Sequence, residues 1–485
     1  MLRCLAGRQN EQLAPFFEAP LRLVPSQVMS PHLVFAVVLF VAFCRSVYSQ
    51  NLTQAQLAIV SDRLGEGASH SWEYGTRAEA LLEYTASTFS VLSSSPLPPP
   101  STVPSNLTDA LSVVFNISKT IVAGRANSNG NITGPQPLIQ DSSAGDPASI
   151  GVTVLLANWT GQGQKDGLDY AGAAEDQLNF LFQDVPKTSD GALSHRVDQV
   201  QLWSDFVYMV PPFLAYYGVI TENRTLVSEA YNQISLYRSY LRDPDANNLW
   251  KHILLGSSGN DEGHWATGNA WAAAGMTRVL GTIQRSQYDK SLANEQKDLA
   301  NWIQEIHGGM YPLLNSNGLF RNYPDNDTTF YDASSTALLA STVYRLSYLW
   351  NVHTHLPLAE QCRKALSSSS GAQVSFGTTP SPTSSSSSSP SATSTTPPAS
   401  PSSILGLDHF TSDGWLTPVV NPDSYGSQGT QSPEGQAFIL EMQSAWRDWV
   451  ADGAKGANGS VRGADLSVTL TWLFAVFVGI TVVYR

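Results

Sequence analysis

Gln199–Gly218 reads QVQLWSDFVYMVPPFLAYYG, an aromatic and aliphatic run with one carboxylate, Asp205, in its middle. Trp203 stands two residues before the acid, and Tyr208 and Met209 follow it. Apolar spacing predicts a helix over Asp205–Tyr217, kinked or delayed by Pro211 and Pro212, whose rings cannot donate to the helical ladder. The acid has two readings. As a helix N-cap or first-turn residue it is satisfied by backbone N–H groups. Left without a counter-charge among apolar neighbours, it has its pKa raised and holds its proton ready to donate. The stretch alone supports both.

Helical periodicity continues outward in both directions. Before the central run it predicts helices over Gln54–Leu64, Trp72–Leu92, Leu107–Val122, Pro147–Asn158 and Tyr170–Phe182. After it come Thr225–Leu241, Asn269–Gln284, Ser291–Ile306, Ala333–Leu349, His355–Leu366 and Pro433–Val450. Loops rich in Gly, Asn, Asp and Pro separate them, and strand-like alternation is scarce. About a dozen helices sharing one core point to an all-α toroid of helical hairpins more than to a simple bundle. Ser367–Ser403 is a Ser/Thr/Pro tract with nothing to bury, expected as an extended, O-glycosylated insertion. Because an aromatic, amphipathic helix follows it, the tract reads as an insertion before the last hairpin. The expected body is therefore 50–366 and 404–450.

The chain has 485 residues, 42% hydrophobic and only 14% charged, with a formal charge of −13. This balance fits a large apolar core and excludes the basic footprint of a nucleic-acid binder. Leu33–Cys44 has the length of a signal-peptide apolar run, with a small-residue cleavage context at Val47–Ser49, so 1–49 reads as leader and signal. At the other end, Leu466–Tyr484 is uncharged and follows a polar spacer and the small residues Gly456–Ser460. Residues 451–485 thus read as a glycolipid-anchor signal, with a single-pass helix as the alternative. An extracellular, membrane-anchored location is expected from the two ends. Cys362 would be the lone mature cysteine, leaving stability to the core. Asn51, Asn106, Asn116, Asn131, Asn158, Asn223, Asn326 and Asn458 begin glycosylation sequons.

Further groups suited to chemistry are Asp146 in DPASIG, His195 in GALSH, His252 in LWKH, and the segment GHWATGNAW with Trp265 and Trp271. Each has an ordinary structural reading: Asp before Pro is a good N-cap, and paired tryptophans often lie in a core. Together they suit a sugar, because aromatic faces stack on pyranose C–H faces while Asp, His and Asn bind hydroxyls. The sequence has no metal-ligand set, phosphate loop, GxSxG elbow or cysteine-nucleophile setting, so no cofactor is expected.

In this order, DPASIG, GALSH, LWSDFVYMVPPFLAYYG, LWKH, HWATGNAW and YDASSTALLA (Tyr331–Ala340) resemble the six-hairpin glycosidases. The closer resemblance is to unsaturated rhamnogalacturonyl and glucuronyl hydrolases of glycoside hydrolase families 88 and 105, from about Trp72 to Trp449. It implies an (α/α)6 barrel with a site in its mouth and an oligosaccharide substrate. By this likeness Asp205 matches the general acid/base, Asp146 the second carboxylate, His195 and His252 site histidines, and Trp203, Trp265 and Trp271 substrate-facing aromatics. Thr267 and Asn269 complete the expected substrate contacts. Thr267 stands where the family commonly has an arginine able to fork onto a uronate carboxylate, and threonine cannot replace that contact. The implied chemistry is hydration of a 4,5-unsaturated uronic acid, with a neutral cell-wall glycan or a catalytically silent surface glycoprotein as alternatives.

Overall fold

Twelve main helices organise the computed structural model, which describes residues 51–128, 134–369 and 406–457. They are α1 Gln54–Gly67, α2 Ser71–Thr85, α3 Thr108–Ser128, α4 Gly151–Trp159, α5 Tyr170–Gln183 and α6 Pro211–Ile220. Then follow α7 Arg224–Leu241, α8 Ala266–Arg285, α9 Ala293–Met310, α10 Ala333–Trp350, α11 Leu356–Ala365 and α12 Pro433–Ala451. Every helix expected from apolar spacing is present. The second is shorter than its apolar run: it ends at Thr85, and a 3-10 turn at Ser87–Phe89 carries the chain onward. The helix expected over Asp205–Tyr217 is broken as its prolines require. A short turn of helix, Phe206–Met209, hands over at Val210 to α6, which has both prolines in its first turn, where no N–H is needed.

Burial sorts the helices into two rings. The even-numbered helices are buried almost all round, as α8 is from Ala266 to Ile283. The odd-numbered ones bury a single stripe, as α7 does with Val227, Ala230, Ile234, Tyr237 and Leu241. Packing closes the inner ring in the order α2, α4 with its leading turn, α6, α8, α10, α12 and back to α2. Outer helices α3, α5, α7, α9 and α11 each lie on the inner helix they follow, and α1 lies on α12. The chain's first and last described helices therefore form the sixth hairpin, and the fold is an (α/α)6 toroid.

Among the described residues, four two-stranded antiparallel ribbons decorate the barrel. The Ser/Thr/Pro tract begins later than its composition suggests. Ser367 and Ser368 are buried, with hydroxyls donating to the carbonyls of Arg363 and Lys364 at the end of α11. Ser369 pairs with Leu407 in an isolated bridge, so the chain leaves the body and re-enters it at adjacent points. The leader and signal, most of the tract, Asn131, and the segment from Asn458 through the apolar tail lie outside the described residues. Among the described residues, no helix is long and apolar enough to cross a membrane. The sequon asparagines Asn106, Asn116, Asn158, Asn223 and Asn326 are exposed.

Candidate active site

The inner helices present their N-termini at one end of the barrel. Trp72 in the first turn of α2 donates to Glu434 in the first turn of α12 at 2.9 Å, and Thr267 on α8 donates to Asp332 before α10 at 3.1 Å. A Cβ on Gly268 would lie 2.2 Å from Ser204 Oγ, so only glycine lets the start of α8 approach the loop that carries Asp205. This mouth collects Asp146, Asp205, His195, His252, Trp203 and Trp265. The partial positive charge of each helix N-terminus favours anionic groups here.

Asp205 occupies the N-cap position before Phe206, yet its carboxylate makes no cap hydrogen bond. It accepts instead from Ser204 Oγ at 3.1 Å, and Oδ2 lies 3.5 Å from His252 Nε2. A ribbon of Leu202–Trp203 with Ile253–Leu254 sets this pair, since it puts the Ser204 N–H on the His252 carbonyl at 2.9 Å. On the far side of the ring, His252 Nδ1 is 2.9 Å from Asp261 Oδ2, which also accepts from Tyr323 Oη at 2.5 Å. Asp261 is placed by its own backbone bridge to Ile253.

Burial pushes the Asp205 pKa upward, but the hydrogen-bonding and charge of His252, with His195 adding to it, outweigh that and hold it below the ordinary value. Burial likewise opposes the charge on His252, and the two carboxylates beside it raise its pKa nonetheless. Both shifts favour the charged forms, a carboxylate on Asp205 and a protonated ring on His252. Neither reading of Asp205 fits as it stands: the carboxylate caps nothing, and it is not alone, because His252, 47 residues later in sequence, lies beside it. Asp146 is shifted the other way, toward its protonated form. Burial, then the nearby charges of Asp141 and Asp205, push its pKa well above the usual range, against the hydrogen bond from Ser143.

His195 Nε2 lies 3.4 Å from both Asp146 Oδ1 and Ser143 Oγ, and its ring stacks on Trp203 at 4.9 Å. Burial lowers its pKa to about 4, so it is a neutral ring. Trp203, Trp265 and Tyr425 surround His252, with ring centroids 5.5, 4.4 and 4.5 Å away. Tyr425 comes from the hairpin Val419–Asn421/Ser424–Gly429. Asn322 locks that hairpin to the wall, because its Oδ1 accepts from the Trp265 indole and its Nδ2 donates to the Tyr425 carbonyl. Tyr323 also lines an adjoining cavity of about 670 Å³ whose other walls include Glu262, His264, Asp325 and Asp327.

Three expected contacts fall elsewhere. Thr267 is fully buried, with its hydroxyl on Asp332. Asn269 is fully buried, and its amide ties the N–H and carbonyl of Trp250 and the Trp265 carbonyl. Trp271 is 1% exposed, wedged between Tyr208 and Phe438. Six residues along α8 carry the chain about 9 Å deeper than Trp265 and round to another face. All three build the barrel and offer no surface to a ligand.

Five residues of the mouth have no part in the sequence-based set: Asp261, Tyr323, Tyr425, Asp332 and Glu434. Asp261, in GNDEGHW, sits between two segments already singled out, so proximity in sequence was a usable signal. Asp332 precedes a Ser-Ser helix start and is a true cap, accepting from the N–H groups of Ser334 and Ser335. Nothing local marks Tyr425 or Glu434. Burial raises the Glu434 pKa to about 8, helped by Glu73. Among the described residues, no cluster of His, Cys, Asp and Glu is arranged to hold a metal ion.

The sequence profile of Glycosyl Hydrolase Family 88 matches residues 112–375, more than half of the chain. An unsaturated rhamnogalacturonyl hydrolase of Bacillus subtilis (strain 168) is 22% identical over 220 residues. That match spans 44% of this chain and 60% of the relative. Among solved structures, a possible member of glycoside hydrolase family 105 from Salmonella enterica serovar Paratyphi A superposes with a TM-score of 0.55 at 15% identity, covering 82% of this chain and 94% of its own. Another possible member, from Klebsiella pneumoniae MGH 78578, gives 0.55 at 14%, covering 90% and 99%. An unsaturated glucuronyl hydrolase specific for heparin gives 0.51 at 13%, covering 86% and 99%. These structural likenesses establish the fold.

Proposed function

This chain belongs to glycosyl hydrolase family 88, and from that premise we propose that it removes a 4,5-unsaturated uronic acid from the end of a pectin-derived oligosaccharide. The substrate is an enol ether. A proton is added to C4 and water to C5, and the hemiketal so formed opens and releases the next sugar as an alcohol. One carboxyl serves both steps: it gives a proton to C4 and takes one back from the water, leaving the enzyme unchanged.

Asp205 is that carboxyl. The observation that carries this reading is an aspartate at a helix start whose carboxylate caps nothing and faces His252 at 3.5 Å among aromatic rings. In the free site the Asp205–His252 pair holds one proton, on the imidazole. A uronate carboxylate brought into the mouth excludes water and repels the Asp205 charge, and both effects move that proton onto Asp205. Asp146, whose burial favours its protonated form, and neutral His195 are suited to bind ring hydroxyls, and Trp203 offers a stacking face. The cavity beside Tyr323, rich in carboxylate acceptors, suits the hydroxyls of the leaving sugar. Incubation of the purified protein with unsaturated galacturonyl-rhamnose, followed by the loss of enol-ether absorbance, tests the activity. No loss with this or the unsaturated glucuronyl analogue rejects it.

Thr267 supports a second reading, a neutral substrate, because its buried position cannot hold a carboxylate clamp. Arg196 is the cation beside His195, with Asp198 its ion-pair partner at 3.8 Å. If the substrate is a uronate, Arg196→Gln raises KM for it about tenfold and leaves its methyl ester unaffected. Equal turnover of acid and ester by the unaltered protein supports the neutral glycan. Export and lipid anchoring rest on Leu33–Cys44 and Leu466–Tyr484 alone. Release from membranes by a phosphatidylinositol-specific phospholipase is the test.

A further inference from the structure

We propose that Asp261, fixed by the Tyr323 hydroxyl, is a positioning residue for proton transfer at Asp205. It turns the His252 Nδ1–H toward itself, so that Nε2–H faces the Asp205 carboxylate. The geometry forms one line: Tyr323 Oη to Asp261 Oδ2 at 2.5 Å, the same oxygen to His252 Nδ1 at 2.9 Å, and His252 Nε2 to Asp205 Oδ2 at 3.5 Å. Asp261 Oδ1 is held separately by the Gly263 N–H at 3.0 Å, so the carboxylate cannot swing away. The His252 ring is fully buried and walled by Trp203, Trp265 and Tyr425, and Nδ1 has its hydrogen-bond partner in Asp261.

The charged and titratable groups that bear on His252 are Asp205 from the start of the α6 segment, Asp261 from its own loop, His195, which burial keeps neutral, and the Tyr425 phenol of the hairpin, whose pKa burial raises. With two carboxylates against one imidazole, the ring keeps its proton to higher pH than a free histidine. Removing Asp261 leaves Asp205 alone to hold it. The Asp205–His252 pair then loses its proton at lower pH, and the ring is free to take the other tautomer.

This inference rests on the proposed acid/base role of Asp205, and two independent readouts separate the failures. The first is histidine ¹⁵N NMR on the whole protein. In unaltered protein His252 titrates above free histidine and, when neutral, protonates one assigned nitrogen. Asp261→Asn, which keeps the acceptor for Gly263, lowers that titration by more than one pH unit. Tyr323→Phe lowers it by less. The second readout is the pH profile on unsaturated galacturonyl-rhamnose. Asp261→Asn lowers kcat by about ten- to a hundredfold at neutral pH with KM within threefold, and shifts the basic limb of kcat/KM to lower pH. Asp261→Glu restores the limb in part. An unchanged His252 titration in Asp261→Asn overturns the proposal, as does a loss of kcat with no movement of the basic limb. If His252 responds as stated but the unaltered protein turns over no unsaturated uronide, the functional reading fails and the positioning of His252 stands.

Discussion

The barrel contains two clusters of buried acids, one at its mouth and one deeper in its interior, and their partners differ. Deep inside, Arg278 binds Glu79, Glu83 and Glu441 at 2.8, 2.7 and 3.0 Å, and Arg345 binds Glu83 and Asp448 at 2.7 and 2.6 Å. Arg278 is twelve residues along α8 from Ala266, about 18 Å from the helix start. At the mouth Asp146 faces His195, and Asp205 and Asp261 face His252. An arginine is charged at every working pH, so its carboxylates have fixed partners and serve as structure. A histidine changes charge near neutrality, so its carboxylate partner is able to gain and lose a proton. Acidity and burial are common to both clusters. The partner decides which one does chemistry.

Replacing acids and partners in the two clusters breaks or sharpens the contrast. Asp205→Asn keeps size and some hydrogen bonding but cannot cycle a proton, so turnover falls by about a hundred- to ten-thousandfold while ligand binding and melting temperature hold. Full activity in this variant, measured on the unsaturated disaccharide, removes the mechanism. In the deep cluster the effect is on stability. Arg278→Met leaves Glu79, Glu83 and Glu441 without their shared counter-charge and costs about 3–5 kcal/mol in denaturant unfolding. A loss below about 1 kcal/mol would show that the acids neutralise one another by protonation.

Thr267→Arg tests the mouth's architecture. A guanidinium placed in a fully buried site beside Asp332 overpacks the start of α8 and costs about 1–3 kcal/mol, with no gain in affinity for a uronide. Tighter uronide binding by this variant would show that the side chain reaches the pocket.

Glu434 gives an effect that is spread over several pH units. In the fold it holds its proton to about pH 8, whereas an unfolded glutamate releases it near 4.5. Its folded pKa is raised, so the native state binds more protons than the unfolded state between these values. Its contribution to stability is full below about pH 4.5 and declines as pH rises toward 8, by at most about 1.4 kcal/mol per unit. Glu434→Gln should flatten the fall in melting temperature between pH 5 and 8. Parallel curves for the two proteins would mean that Glu434 ionises freely in the native state.

The sequence by itself determined the helices and their number, because apolar spacing at 3.6 residues is a local property of one face of one helix. It also marked the chain positions of Asp146, His195, Trp203, Asp205, His252 and Trp265, each near the start of an inner helix or in a loop of the mouth. It could not separate Trp265 from Trp271, since both stand in one aromatic motif and only their depth along α8 sends one to the site and the other to the core. Nor could it give the charge of Asp205. That depends on His252, brought beside it by a two-residue ribbon, and on Asp261 and Tyr323 behind the ring. Tyr425 and Glu434 reach the mouth from more than 200 residues beyond Asp205, after the Ser/Thr/Pro tract. A pKa is set by what lies within a few ångströms in space, and closure of the ring, with α12 against α2, is what put those groups there.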